Sequence, residues 1–177
     1  MSVDKPVISI LDTTSLPKLA TDYEAELVEL ALLAQADNQS PYLYQQNRSF
    51  FRNNLAGATE NVFAFDADEM VGYAALRSMD PWPAYMPQTE HEPHLCAMML
   101  YSLVAPKYRG RAIGFSLAQK RVTLAKELGF MHLYATVHPN NLASARTLKR
   151  LGFEVLSQKV MFTEQLLRDI LYLRIVN

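Results

Sequence analysis

The chain has 177 residues, enough for one domain with a sizeable core and too few for two ordinary ones, so a single domain spanning 1–177 is expected. Half of the residues are apolar and a fifth are charged, a globular composition, and the net charge of −1 removes the overall basic field that would steer the chain to nucleic acid or an anionic membrane. Its single cysteine, Cys96, excludes an intrachain disulfide and a thiolate-rich zinc site; with no apolar run of membrane-spanning length, a reducing, cytoplasmic setting is expected.

The first apolar run, Val7 to Leu11, reads as a strand, and the Glu-, Ala- and Leu-rich stretch from Asp22 to Ala36 as a helix. Ser40 followed by Pro41 offers an N-cap with Pro at the first helical position, and Gly57 offers a stop, which predicts a second helix carrying Tyr42, Tyr44, Phe50 and Phe51. From Asn61 the pattern becomes that of strands: Val62 to Phe65, a turn at Asp66 to Glu69, and Met70 to Leu76 form an expected antiparallel hairpin. Pro81, Pro83, Pro87 and Pro93 make Ser78 to His94 a loop without regular structure. Leu95 to Val104 has too few polar residues for a half-exposed strand and reads as a central one, ended by Pro106.

Beyond it, Ile113, Leu117, Ala118, Leu124, Ala125 and Leu128 share one side of a helical wheel, and Gly129 supplies the C-terminal cap. Arg121 falls inside this apolar arc; its stem is expected along the sheet with its head in solvent. Met131, Leu133, Ala135 and Val137 alternate with polar residues in a strand, Asn141 caps a short helix closed by Gly152, and Phe153 to Phe162 and Asp169 to Val176 supply the last two strands. This order predicts a mixed α/β fold of about seven strands with helices on both faces of the sheet.

The stretch Leu103-Val104-Ala105-Pro106-Lys107-Tyr108-Arg109-Gly110-Arg111-Ala112-Ile113-Gly114 joins a strand end to a helix start through a loop with small residues at 110, 112 and 114. A helix start presents N–H groups without internal partners and a favourable dipole, so it binds phosphate. The spacing is neither that of a dinucleotide fingerprint nor that of a P-loop. Lys107, Arg109, Arg111, Lys120 and Arg121, with Arg146, Lys149 and Arg150 on the later helix, make the neighbourhood positive. A ligand with a pyrophosphate and a further phosphate, such as coenzyme A, suits such a cluster; Lys120, Lys149 and Arg150 are also read as solvated helix faces.

At these residues the sequence resembles the GNAT acetyltransferase superfamily, whose signature Arg/Gln-x-x-Gly/Ala-x-Gly/Ala is matched by Arg109-Gly110-Arg111-Ala112-Ile113-Gly114, with Ala112 where Gly is commoner. A second signature, an Asn opening a short helix that ends in Leu-Gly-Phe, is matched by Asn141 and Leu151-Gly152-Phe153. The resemblance implies a mostly antiparallel sheet with its fourth and fifth strands splayed, and acetyl-CoA or coenzyme A as cofactor. It implies that the backbone of Leu103 and Val104 pairs with the pantetheine amides, that the N–H groups from Arg109 to Phe115 hold the pyrophosphate, and that Asn141, with Ser144 in the next turn, touches the cofactor arm. Capping alone also explains Asn141, and the two roles are compatible.

Many members of that family carry a Tyr, four residues before the Gly-Phe pair, that protonates the departing thiolate; Leu148 stands there. Leu at that position resembles the branch that acetylates protein N-termini, and a thiolate is a tolerable leaving group because its thiol pKa is about 8 to 9. The reaction needs a neutral amine and a donor for the developing oxyanion. The fourth strand holds no carboxylate, which leaves Glu90, Glu92, His91 and His94 before it, a water held by Tyr101 or Ser102, and His138 at a strand end as catalytic candidates. Pro93 denies His91 and His94 a helical presentation, so no metal site is expected, and Cys96 reads as a small apolar residue. Trp82 and Tyr85 in the Pro-rich loop are candidates for acceptor binding. The expected function is acetyl transfer to a primary amine of a small molecule or a peptide N-terminus, by a monomer or a homodimer; the alternative is a non-catalytic coenzyme A binding module.

Overall fold

The computed structural model describes residues 7–37, 42, 44–162 and 166–176. Seven strands, β1 (Ile8–Asp12), β2 (Glu60–Asp66), β3 (Glu69–Ser78), β4 (Cys96–Val104), β5 (His132–Val137), β6 (Glu154–Met161) and β7 (Leu166–Arg174), make one sheet in the order β1-β2-β3-β4-β5-β7-β6. Every pairing is antiparallel except that of β4 with β5. Four helices, α1 (Glu24–Ala36), α2 (Arg48–Asn53), α3 (Ile113–Glu127) and α4 (Leu142–Arg150), complete the mixed architecture expected from the sequence.

The second helix differs from expectation. The Ser40-Pro41 start lies outside the described residues, and the described helix begins at Arg48, where the Asn47 side chain accepts from the N–H of Phe50 at 2.9 Å. Tyr42 and Tyr44 therefore precede α2 rather than ride on it. The chain leaves α2 through a wider helical turn, Asn54–Ala58, and reverses at Gly57 with φ of 106°, a left-handed conformation that favours glycine.

The feature that positions the site is the end of the β4–β5 pairing. The two strands pair only from Cys96 opposite His132 to Met99 opposite Ala135. Past Met99, β4 runs on to Val104 with β3 alone, while β5 runs on to Val137 beside β7. On the β3 side, Met99 faces Leu76 and Ser102 faces Ala74, so β4 spends one more residue than β3 across the interval. Such a bulge at Leu100 and Tyr101 bends the strand, and the two strands part at the same place.

Arg121 corrects the expectation of a solvent-reaching head. The residue is 4% exposed, and its Nη1 donates to the carbonyls of Leu100 at 3.1 Å and Ala75 at 3.3 Å, on the two sides of the bulge. A guanidinium offers five donors and the interrupted ladder offers carbonyls, so the head is drawn inward. Lys120 is not a freely solvated side chain either: its ammonium lies 2.7 Å from Asp12, which also accepts from Thr14 and Ser15 and is held well below the usual carboxylate range, first by Lys120.

Helix α3 lies close against β3 because Gly72 has no side chain; a Cβ there would come 3.1 Å from Leu117 Cδ1 and 3.3 Å from Ile113 Cγ2. The main core includes Phe63, Tyr73, Leu117 and Leu133. A second core of Met79, Met86, Cys96, Met98 and Tyr134 sits under the Pro-rich segment, and Trp82 and Tyr85 pack against it.

Candidate active site

A cavity of about 890 Å³ is lined by the loop and first turn of α3, by β4 from Met98 to Val104, by the start of α4, and by aromatic residues that include Tyr42, Tyr44 and Phe162.

The loop after β4 is held from three directions. Ala105 donates its N–H to the Val71 carbonyl at 2.9 Å, and the Tyr108 hydroxyl donates to Asp66 at 2.7 Å and to Glu69 at 3.1 Å, which raises its pKa. Lys107 pairs with the same Glu69 at 2.7 Å, and Arg109 pairs with Asp37 at the end of α1. Ala112 then takes a left-handed φ of 61° as the N-cap of α3. Ser116 donates back to Ala112, so Ile113, Gly114 and Phe115 before it present N–H groups with no helical partner.

A Cβ on Gly114 would have only Val104 Cγ2 near it, at 3.9 Å, so the space beside the backbone is open on the cavity side. Arg150 stacks over the Phe115 ring at 4.2 Å and lines the cavity, whereas exposed Arg111 stacks on Tyr108 at 4.9 Å and does not. Leu103, Val104, Arg109, Gly110, Ala112, Ile113, Gly114, Phe115, Asn141 and Ser144 all line the same cavity. Asn141 caps α4 as well, its Oδ1 accepting from Ser144 N at 3.3 Å. Open helix-start amides, a flanking arginine and a strand edge released at Met99 fit a pyrophosphate ligand with an extended amide-bearing arm, the shape of coenzyme A.

Where β4 leaves β5, Tyr101, Ser102 and Leu148 line the cavity. Tyr101 is packed edge-on by Phe50 at 5.9 Å and Phe51 at 5.4 Å, and its hydroxyl has no hydrogen-bond partner among the described residues. Burial pushes this phenol up to about 12; the nearby Gln35 amide pulls the other way without meeting hydrogen-bond geometry. Tyr101 therefore keeps its proton at neutral pH and offers a donor rather than a base. Ser102, opposite Ala74, stands on the α3 side of the sheet, as do Gly72 and Val104.

His138 is not part of the lining. Its Nδ1 accepts from Asn140 N at 3.1 Å, and its ring stacks on Tyr42 at 4.3 Å. Glu90, His91, Glu92 and His94 also lie away from the cavity, toward the start of β4 where it still pairs with β5. His91 contacts the Tyr134 hydroxyl at 2.6 Å and stacks on His132 at 3.7 Å, and Cys96 donates to the Glu92 carbonyl. Among the described residues no group of three His, Cys, Asp or Glu is placed to hold a metal. Tyr85 lines the cavity; Trp82 does not, packing against Tyr134 at 5.6 Å.

Sequence reasoning missed Arg77, Phe162 and Arg168, all of which line the cavity. No local motif marks them. They converge only through the pairing of β3, β4, β5 and β7, which sequence periodicity leaves undetermined.

The comparisons with known proteins agree with this geometry. A model of the acetyltransferase (GNAT) family matches residues 24–153. The L-methionine sulfoximine/L-methionine sulfone acetyltransferase of Pseudomonas aeruginosa is 25% identical over 122 residues, an alignment covering 68% of this chain and 66% of that protein's length. Among solved structures, YncA of Salmonella typhimurium with its cofactor acetyl-CoA has a TM-score of 0.71 at 15% identity, covering 97% of this chain and 95% of that one. The ribosomal-protein-S18-alanine N-acetyltransferase of Escherichia coli has a TM-score of 0.66 at 17% identity, covering 95% and 92%. With its helix-start loop and parted strands inside the span that the family model covers, the chain belongs to the GNAT acetyltransferase family, whose acyl donor is acetyl-CoA.

Proposed function

We propose that this protein transfers the acetyl group of acetyl-CoA to the primary amine of a small molecule, by direct attack of the amine on the thioester. The observation that carries the reading is the parting of β4 from β5 at Met99, beside a cavity that reaches from the α3 loop to an aromatic chamber. In this reading the amides of Ile113, Gly114 and Phe115 with Arg150 hold the phosphates, and the free edge of β4 at Leu103 and Val104 aligns the arm. Tyr101 and Ser102 flank the thioester as donors, while Leu148 contributes packing alone. His138 acts through Tyr42, on which it stacks. A small acceptor is favoured over a peptide N-terminus by the enclosing aromatic side chains of Tyr44, Tyr85 and Phe162, the last within 4.9 Å of Tyr44 and 5.5 Å of Tyr85. The pseudomonad relative, whose named substrates are L-methionine sulfoximine and L-methionine sulfone, supports the same choice.

The test combines cofactor binding with turnover. Acetyl-CoA at a hundred times its dissociation constant stabilises a binding protein by about 2.7 kcal/mol, which for a chain of this size raises Tm by roughly 5 to 10 °C. Gly114→Glu adds a side chain and a like charge to the phosphate path and should abolish that rise while leaving a folded protein. Thiol release with amines and peptides then reads the chemistry. A rise in Tm without thiol release from any acceptor would favour a binding module, and no rise at millimolar acetyl-CoA would end the proposal.

A further inference from the structure

Among the described residues, the cavity is lined by five arginines, Arg77, Arg109, Arg121, Arg150 and Arg168, and by no carboxylate and no lysine. Three of them are accounted for. Arg109 pairs with Asp37, Arg150 flanks the phosphate loop, and Arg121 is spent on the bulge carbonyls. Arg77 and Arg168 are left, and strand register puts both on one face of the sheet. Arg77 faces Met98, Met98 faces Tyr134, Tyr134 faces Tyr172, and Arg168 shares the face of Tyr172 by strand alternation. They flank the β4–β5 cleft, one from β3 and one from β7.

Neither is neutralised by an ion pair among the described residues. The half-buried Arg168 donates to two uncharged carbonyls, Thr136 at 3.0 Å and Tyr42 at 3.3 Å, and its Nε is buried without a partner. Arg77 makes one long contact, 3.5 Å to the Tyr85 hydroxyl. Carbonyls occupy N–H groups but leave the charge uncompensated, a state that a half-buried guanidinium keeps only at a cost.

We propose that the acceptor is a zwitterionic amine, of the free α-amino acid class, whose carboxylate is held by Arg168 with Arg77 across the cleft while its amine faces the thioester beside Tyr101. The proposal rests on the acetyl-transfer reading and narrows its acceptor. A guanidinium matches a carboxylate in geometry and charge, and the aromatic rings of Tyr44, Tyr85 and Phe162 receive the remaining side chain. Burial pulls the Arg168 pKa down, the response of a cation lacking a counter-ion, which a bound carboxylate supplies. Polyamines fit poorly, because no carboxylate among the described lining residues receives their additional positive charges.

The experiment measures thiol release from acetyl-CoA with the common L-amino acids and L-methionine sulfone, the carboxamide of each, spermidine and an unblocked tetrapeptide. The best acceptor should be a free acid, with its carboxamide lower by about 10- to 100-fold in kcat/KM. Arg168→Gln should collapse that acid-over-amide ratio toward one, Arg168→Lys should keep part of it, and Arg77→Gln should lower it less. A merely structural Arg168 would lower acid and amide alike, and that result would overturn the proposal. So would wild-type preference for a carboxamide, spermidine or the peptide, or an acid and amide within threefold of each other. The wild-type comparison needs no variant to fold. Equilibrium titration of coenzyme A-saturated protein with the same acids and carboxamides reads the clamp without turnover, and binding of neither also overturns it. A retained acetyl-CoA rise in Tm with no acid preference defeats the clamp alone; loss of that rise defeats the parent reading.

Discussion

Replacing Arg121 with methionine keeps the length of the side chain and removes its charge and donors. Two opposed effects follow. The Leu100 and Ala75 carbonyls, 3.1 and 3.3 Å from Nη1, lose a buried partner, at about 1 to 3 kcal/mol each. Against that, burial drags the guanidinium well below its ordinary value, to about 10, so the folded protein bears roughly 3 kcal/mol for keeping the charge inside, a burden methionine lifts. The two carbonyls together cost about 2 to 6 kcal/mol against that relief, so the expected net change lies between about 1 kcal/mol of gain and 3 kcal/mol of loss, or less than roughly 12 °C in Tm. Activity should respond differently. Without the anchor, Leu100 and Tyr101 lose the contact that fixes the bulge, and displacement of a reacting group by about 1 Å can cost 100-fold in rate. Thermal melts beside kcat/KM for a competent amine make the comparison. A large fall in Tm with proportionate loss of activity would show that Arg121 is a stability residue only, and unchanged activity would show that the bulge does not need it.

Three further outcomes are expected. Gly72→Ala puts a Cβ 3.1 Å from Leu117 and 3.2 Å from Ala64, so α3 must give way at about 1 to 3 kcal/mol, read as a Tm lower by several degrees; an unchanged Tm would mean that the contact is soft. Ala112→Gly relieves a left-handed φ of 61°, worth roughly 1 to 2 kcal/mol, against about 0.5 to 1 kcal/mol of added chain entropy, and should raise Tm by up to roughly 6 °C with acetyl-CoA affinity retained. The pH profile of kcat/KM should rise as the acceptor amine loses its proton, with no falling limb below about pH 10, because the Tyr101 pKa, raised by burial to about 12, keeps the donor form throughout; a falling limb near neutrality would reveal an acid of ordinary pKa.

What was legible in the sequence is what depends on short stretches of chain. The loop from Arg109 to Gly114 and the cap at Asn141 follow from helix-start chemistry, and apart from Arg111 all of these residues line the cavity. The strands follow from alternation or, for β1 and β4, from apolar runs, with boundaries moved by a residue or a few, as at Leu166, where β7 begins before the expected Asp169. What depends on distant pairing was not legible. Arg121 looked like an intruder in an apolar helix face because the bulge that receives it is made by β3 and β4 together. His91 looked available for chemistry until its stacking on His132 put it at the closed end of the cleft. The proline signal at Pro41, outside the described residues, predicts a helix carrying Tyr42 and Tyr44, whereas the helix that forms starts at the Asn47 cap.

The lining charges also bear on how the acceptor amine loses its proton, since Glu90, Glu92, His91, His94 and His138 all lie outside the lining. Several of the chain's carboxylates are engaged outside the cavity: Asp12 with Lys120, Asp37 with Arg109, Glu69 with Lys107 and Glu24 with Arg48 and Arg52. A nearly neutral chain thus presents, among its described residues, a lining whose ionised groups are all cations. Positive charge near an ammonium disfavours it and lowers its pKa, so an amine drawn in by its own carboxylate meets surroundings that favour the loss of its proton. On the acceptor reading proposed here, Arg77 and Arg168 hold one end of the molecule and ease deprotonation at the other, leaving water to carry the proton away. A carboxylate base at the thioester would work against them, because it would stabilise the ammonium that must be discharged before attack.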